Sequence, residues 1–181
     1  MKTHICPYWF SFSLNNRFRR LIHDPEIILK YLIFPGNIVV DIGCGPGYFS
    51  IPMALMVGEN GKVYAVDVQE KMLRKLIENA KKYHLKNRIE PLVCDPDDLK
   101  LKIKADFILA FWMVHEVEDI PGLFRQIREA LKPGGCFLLS EPKTHVNNKK
   151  YQEILKSAES AGLVKTEEEI IPLSRSMLFT L

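Results

Sequence analysis

Short apolar runs recur along this chain, each bounded by turn-forming residues and most of them followed by a stretch with helical spacing. Ile38-Val-Val40 runs into Asp41, Lys62-Val-Tyr-Ala-Val66 into Asp67, and Ile89-Glu-Pro-Leu-Val-Cys94 into Asp95. Ala105-Asp-Phe-Ile-Leu-Ala-Phe111 leads into Trp112-Met-Val-His-Glu116, and Cys136-Phe-Leu-Leu-Ser140 follows Leu131-Lys-Pro-Gly-Gly135. Runs this short, rich in branched and aromatic residues, read as strands. Between them, Tyr48 to Val57 reads as a helix, with Pro52 near its start where N–H groups lack partners anyway. Gln69 to His84 puts Met72, Leu73, Leu76, Ile77 and Ala80 on one helical face and Lys71, Arg74, Lys75, Lys81 and Lys82 on the other. Ile120 to Leu131 is a further helix, stopped by Pro133-Gly134-Gly135, and Lys149 to Ala161 another, ended at Gly162. Pro96 to Lys104 leaves room for a turn or a short helix. This alternation predicts an α/β fold with a parallel sheet.

Both ends depart from the alternation. Leu163 to Leu173 and Ser176 to Leu181 predict two strands joined by a tight turn at Pro172 to Arg175. The chain ends once that hairpin is complete, so no appended RNA-binding or substrate domain is expected downstream. Upstream, Asp24-Pro25 opens a short helix reaching Phe34. Before it come the aromatic segment Cys6-Pro-Tyr-Trp-Phe-Ser-Phe12 and three basic residues, Arg17, Arg19 and Arg20. Residues 1–181 are expected to form a single domain, with residues 1–35 as a lid or helical extension and residues 36–181 as the core.

Composition narrows the class. A chain of 181 residues with 47% hydrophobic and 26% charged residues can bury a core as an ordinary globular domain. Its net charge of +3 is too small to argue for nucleic acid. The four cysteines, Cys6, Cys44, Cys94 and Cys136, are widely spaced and read as reduced thiols, with no zinc pattern and no disulfide framework. No stretch approaches the ~20 apolar residues of a membrane span. A signal peptide is not expected either, because the arginines follow the aromatic run instead of preceding it. The cytoplasm is the expected compartment.

The chemistry concentrates in Asp41-Ile-Gly-Cys-Gly-Pro-Gly47. A glycine loop that cradles phosphate relies on bare N–H groups, and a carboxylate at the strand end works against such an anion. The loop therefore suits a cationic ligand. Its Gly43-x-Gly45-x-Gly47 spacing also differs from the G-x-G-x-x-G of dinucleotide folds. Asp67, ending the next strand, is placed to accept both hydroxyls of a ribose. Asp67 and Asp95 have a plainer alternative as helix caps or turn formers, and Cys44 as a small residue in a tight loop.

The ordered series of strand-end acids, glycine loop and C-terminal hairpin resembles the class I S-adenosylmethionine-dependent methyltransferases from Ile38 to Leu181. The resemblance implies a Rossmann-like three-layer sandwich with a mostly parallel seven-stranded sheet closed by an antiparallel hairpin. It implies S-adenosyl-L-methionine as cofactor and no metal. The loop containing Asp41, Gly43, Cys44, Gly45 and Gly47 would lie against the methionine part, Asp67 would hold the ribose, and Val68 would pack on the adenine. Asp95 and Pro96 would face the adenine amino edge, and the backbone at Ala110 and Phe111 would hold the methionine ammonium. Met72 joins these as a cofactor-binding position. Residues before the first strand would fold over the site, where Trp9, Phe10 and Phe12 either close it or plug the core edge.

Methyl transfer from a sulfonium needs no covalent residue, and needs a base only when the acceptor has a proton to lose. His115, just past the fourth strand, is the candidate base, since histidine titrates near neutrality. Its alternative is a packing role. Glu116 and Glu141 are further candidates for holding the acceptor. The Asn/Asp-Pro-Pro-Tyr/Phe motif of planar-amine methylation is absent, with Ala110-Phe-Trp-Met113 in its place, and Trp112 stands where arsenite methyltransferases usually carry a cysteine. The pattern, Leu131-Lys-Pro-Gly-Gly135 included, most resembles the branch that contains quinone-biosynthesis methyltransferases and implies a small-molecule acceptor. Two other readings stay open: an aminopropyl transferase, and a non-catalytic cofactor-binding module that uses the basic N-terminus for RNA.

Overall fold

The structure is a computed structural model that describes residues 17–181; the aromatic segment from Cys6 to Phe12, and the lid expected of it, lie outside the described residues. The described chain parts after Cys94 into two compact units.

The first unit opens with α1 (Arg17–Ile22) and α2 (Pro25–Leu29). Asp24 caps α2 by accepting the Glu26 N–H at 2.9 Å, and Pro25 occupies the first turn, where no N–H is required. The helix expected to reach Phe34 ends at Leu29; the Leu32 and Ile33 N–H groups both return to the Leu29 carbonyl, at 2.9 and 3.1 Å, and the Phe34 N–H donates to the Asn37 side chain at 2.8 Å. Strands β1 (Ile38–Ile42), β2 (Lys62–Asp67) and β3 (Ile89–Val93) are all parallel, with β2 between the other two. They are connected through α3 (Ser50–Met56) and α4 (Glu70–Lys81). α4 is shorter than its periodicity predicts. His84 adopts φ 58°, and the Leu85 N–H returns to the Ala80 carbonyl at 3.0 Å, a left-handed cap formed here without glycine.

The second unit contains β4 (Ala105–Phe111), α5 (Ile120–Ala130), β5 (Leu131–Pro142), α6 (Asn148–Ser160), β6 (Val164–Glu168) and β7 (Ser174–Thr180). β4 and β5 are parallel, whereas β7 runs antiparallel to both β5 and β6. The Lys132–Gly135 stretch does not separate helix from strand as expected. β5 already begins at Leu131, opposite Ala105, and the next paired residues are Phe107 and Cys136. The residues between bulge out of the ladder, consistent with Pro133 lacking an N–H and Gly134 having φ 79°. The hairpin turn also lies earlier than expected. β6 stops at Glu168 and Arg175 is already inside β7, since Pro172 cannot donate to a ladder. β6 is exposed along its whole length, and its charged residues Lys165, Glu167 and Glu168 suit a sheet edge.

The strand order over the seven strands is β3-β2-β1-β4-β5-β7-β6. In the second unit Phe107, Phe124, Phe137 and Phe179 are fully buried, with Phe137 stacked on Phe179 at 5.7 Å. Among the described residues, no helix is long and apolar enough to cross a membrane.

Tyr151, in the first turn of α6, is 4% exposed, and its hydroxyl meets no hydrogen-bond partner. Tyr151→Phe keeps the ring and removes the desolvated hydroxyl, so it is expected to stabilise the protein by about 1 kcal/mol. A urea midpoint that moves upward at unchanged slope would show this.

Candidate active site

In the first unit, the next-to-last residue of β1 is Asp41, which is 2% exposed and accepts a 2.5 Å hydrogen bond from the Ser50 hydroxyl at the start of α3. Burial pushes its carboxyl up to about 7, against the Ser50 hydrogen bond; nearby Asp67 raises it further and Arg19 opposes that. The glycine loop then turns away with Gly43, Gly45 and Gly47 all at positive φ. A Cβ on Gly45 would meet nothing within 4 Å, whereas one on Gly47 would approach Leu76 at 3.0 Å. Gly45 thus presents bare backbone to open space, and Gly47 lets α4 pack closely against the loop. The Asn79 amide fixes the loop from α4 through the Pro46 carbonyl at 3.1 Å.

Asp67 is brought to this loop. One of its oxygens accepts the Gly45 N–H at 2.9 Å and the other the Gln69 N–H at 2.8 Å. It thus shapes the turn into α4 and also ties that turn to the glycine loop. Burial raises its carboxyl as well, opposed by these two N–H groups. The Cys44 thiol lies beside both acids, is buried, and is held well above its usual range by burial and their charges, so it remains a thiol. Met72 is buried on α4 and Val68 is half-buried beside Asp67.

Arg20 pairs with Glu26 on the surface at 2.8 Å, but Arg19 is drawn in, its guanidinium 4.3 Å from the centre of the Tyr48 ring. A flat, weakly hydrated guanidinium can stack on an aromatic face where an ammonium would stay in water. The Tyr48 hydroxyl in turn donates to the His23 carbonyl at 2.8 Å, tying the segment before β1 to the exit of the glycine loop.

In the second unit, Asp95 is exposed and pairs with Lys100 at 2.9 Å, and Pro96 is exposed beside it. Ala110 and Phe111 are buried at the end of β4. Trp112 follows at φ 61°, a conformation costly for an aromatic residue, held by its N–H to the Ser140 carbonyl at 2.7 Å and its indole N–H to the Ser174 hydroxyl at 2.9 Å. That reversal leads into a 3-10 turn, Val114–Glu116. There the Nδ1 of His115 lies 2.6 Å from Glu141 Oε2, and the Val114 N–H donates to the other Glu141 oxygen at 3.0 Å. Glu141 is fully buried in β5. Glu116 is half-buried in the same turn.

A family model described as a methyltransferase domain matches residues 33–173. The chain belongs to this family. It is a class I S-adenosylmethionine-dependent methyltransferase domain, with the Rossmann-like strand order of that fold. A structure described as a SAM-dependent methyltransferase from Aquifex aeolicus superposes with a TM-score of 0.86 at 25% identity, covering 97% of this chain and 98% of that one. A probable cobalt-precorrin-6B C(15)-methyltransferase (decarboxylating) from Pyrobaculum aerophilum is 31% identical over 109 residues, 60% of this chain and 55% of the relative. A demethylmenaquinone methyltransferase from Symbiobacterium thermophilum is 31% identical over 117 residues, 64% of this chain and 47% of the relative. The methyltransferase domain therefore spans about half the length of these curated relatives.

Family membership implies S-adenosyl-L-methionine, and the residues of the first unit fit it. Burial and the neighbouring Asp67 raise the cost of ionising Asp41, burial raises that of Asp67, and a cationic ligand relieves both. Asp67 has used one lone pair on each oxygen and retains acceptor capacity for hydroxyls. Reading the sequence missed Ser50 and Asn79, because a serine at a helix start and an asparagine on a helix carry no local mark of their distant partners. Among the described residues no cluster could hold a metal ion.

Proposed function

We propose that this methyltransferase domain transfers a methyl group from S-adenosyl-L-methionine to a small organic acceptor, with His115 as the base. The observation that carries the reading is the polarised pair at the end of β4, where His115 is held by the buried Glu141 at 2.6 Å, on a domain whose glycine loop carries paired buried acids. When bound, the donor supplies a methyl group on a positive sulfur, and transfer leaves the broken bond's electron pair on that sulfur. Asp41 and the loop from Gly43 to Gly47 bind the methionine portion in this reading, and Asp67 the ribose. Val68 and Met72 line the adenine side with Asp95 and Pro96, and the backbone of Ala110 and Phe111 meets the ammonium. The names of the curated relatives, a precorrin and a demethylmenaquinone methyltransferase, favour a small acceptor. The buried free thiols Cys44 and Cys94 suit a reducing compartment such as the cytoplasm.

The test is calorimetry with S-adenosylmethionine and S-adenosylhomocysteine, followed by product analysis on candidate acceptors. S-adenosylhomocysteine formation is the expected result, whereas methylthioadenosine would indicate aminopropyl transfer and binding without turnover a non-catalytic module. Asp67→Ala is expected to weaken S-adenosylhomocysteine binding by roughly 1–3 kcal/mol, since the ribose hydroxyls lose a charged acceptor. Unchanged affinity in a folded variant would leave Asp67 with its structural role alone, joining Gly45 to Gln69.

A further inference from the structure

We propose that Glu141 is a positioning residue that keeps the His115 proton on Nδ1, and that the dyad selects an acceptor bearing a phenolic or enolic hydroxyl. The inference rests on the methyltransferase reading above and deepens it. Its starting point is geometric. Glu141 is fully buried, and each of its oxygens is taken by one group, the Val114 N–H at 3.0 Å and His115 Nδ1 at 2.6 Å. A carboxylate offers only acceptors, so the imidazole must donate from Nδ1, and Nε2 is left with its lone pair.

The surroundings keep Glu141 committed to this task. Arg175 stands opposite Glu141 in the β5–β7 register, yet its guanidinium donates to the Val146 carbonyl at 2.9 Å. Lys150 reaches the backbone carbonyl of His115 at 3.5 Å, not its ring, and His145 lies with its ring centroid 5.6 Å away. The titratable side chain that the buried carboxylate meets at hydrogen-bond distance is His115. Burying a carboxylate for packing alone is expensive, and here it is oriented from both sides toward one imidazole.

Such a base discriminates among acceptors. A thiol, with an ordinary pKa near ~8.5, supplies some thiolate by itself, and a neutral amine attacks with its own lone pair. A phenol or enol, near ~10, must shed its proton as it reacts. The O–H proton passes to Nε2 of His115, and the electron pair it leaves forms the new bond to the methyl carbon, at the oxygen or at a carbon conjugated with it. The imidazolium, held against Glu141, then returns the proton to water. When carbon is methylated, that carbon then loses its hydrogen as a proton to water while the oxygen takes a proton back from water, which restores the hydroxyl and leaves one proton released overall.

Glu141→Gln tests the assignment with little change of shape. With its oxygen toward the Val114 N–H, the glutamine presents an NH2 group to Nδ1 and drives the imidazole to the Nε2–H tautomer, which cannot act as a base. Comparable loss of the correct tautomer lowers kcat by about 10⁴ in serine proteases. The first measurement is nitrogen NMR of histidine-labelled protein. The wild type is expected to show the Nδ1–H tautomer at His115 and the variant the Nε2–H tautomer; an Nε2–H wild type, or an unchanged signal in the variant, overturns the positioning role. The second measures turnover of catechol, 1,4-naphthoquinol, 2-mercaptoethanol and ethanolamine with S-adenosylmethionine. Turnover of a hydroxyl probe, reduced about 10²–10⁴-fold in Glu141→Gln, is expected. A preference for the thiol or amine, no turnover of either hydroxyl probe, or Glu141→Gln turnover within a few-fold of wild type overturns the acceptor class. S-adenosylhomocysteine affinity serves as the separate control, because a wild type that fails to bind it refutes the methyltransferase reading and leaves the tautomer result standing.

Discussion

His115→Gln is expected to lower methyl-transfer turnover by about 10²–10⁴-fold while S-adenosylhomocysteine affinity stays nearly unchanged. The substitution is chosen for what it spares. Glutamine can still donate from its amide toward Glu141, so the buried carboxylate keeps a partner although the base is gone. His115→Ala removes both, and breaking a buried pair by deleting one member costs about 3–5 kcal/mol of stability. The two variants therefore separate chemistry from folding. Both should lose turnover, but alanine alone should lower the melting temperature substantially. Turnover within a few-fold of wild type in the glutamine variant would mean that His115 packs the end of β4 and takes no part in proton transfer.

The second large effect concerns Asp41 and pH. Burial holds its carboxyl at about 7 in the folded protein, well above the value of an unfolded chain. Between about pH 4 and pH 7 the folded state then retains a proton that the unfolded chain has shed. Its contribution to stability is complete below the unfolded pKa and declines as pH rises through the folded one. With each pKa unit worth about 1.4 kcal/mol, the decline amounts to about 4 kcal/mol at most. Asp41→Asn should remove this slope, so urea unfolding at pH 5 and pH 8 should differ less in the variant than in the wild type. Equal pH dependence in both would show that Asp41 is ionised throughout. The proposed cofactor contact reverses the trend for binding. A ligand carrying an ammonium favours the ionised acid, so S-adenosylhomocysteine should bind more tightly at pH 7.5 than at pH 5.5, and at pH 6 should displace a proton whose heat depends on the buffer.

These expectations draw on different levels of information. The order of strands and helices, the glycine loop and the acids near the ends of β1 and β2 were legible along the chain, because apolar periodicity and turn chemistry are set by neighbours a few residues apart. The His115 position was legible for the same reason, as a histidine soon after a strand. Boundaries were less so. Pro133 and Pro172 each bounded or distorted an element at a point that depended on which N–H the surrounding structure required.

What tertiary structure alone decided are the partners. Ser50 reaches Asp41 across nine positions, Asp67 reaches Gly45 across 22, and Glu141 reaches His115 across 26. Arg19, a basic residue in a basic run, became a half-buried guanidinium over the Tyr48 ring. Sheet register and helix docking place these groups side by side, and the low-dielectric interior then makes each pairing matter. The sequence by itself determined the order of the elements and which chemical groups stand at their ends; the folded chain decided which of those groups lose their water, and it is this loss that raises the Asp41 carboxyl and lets Glu141 orient His115.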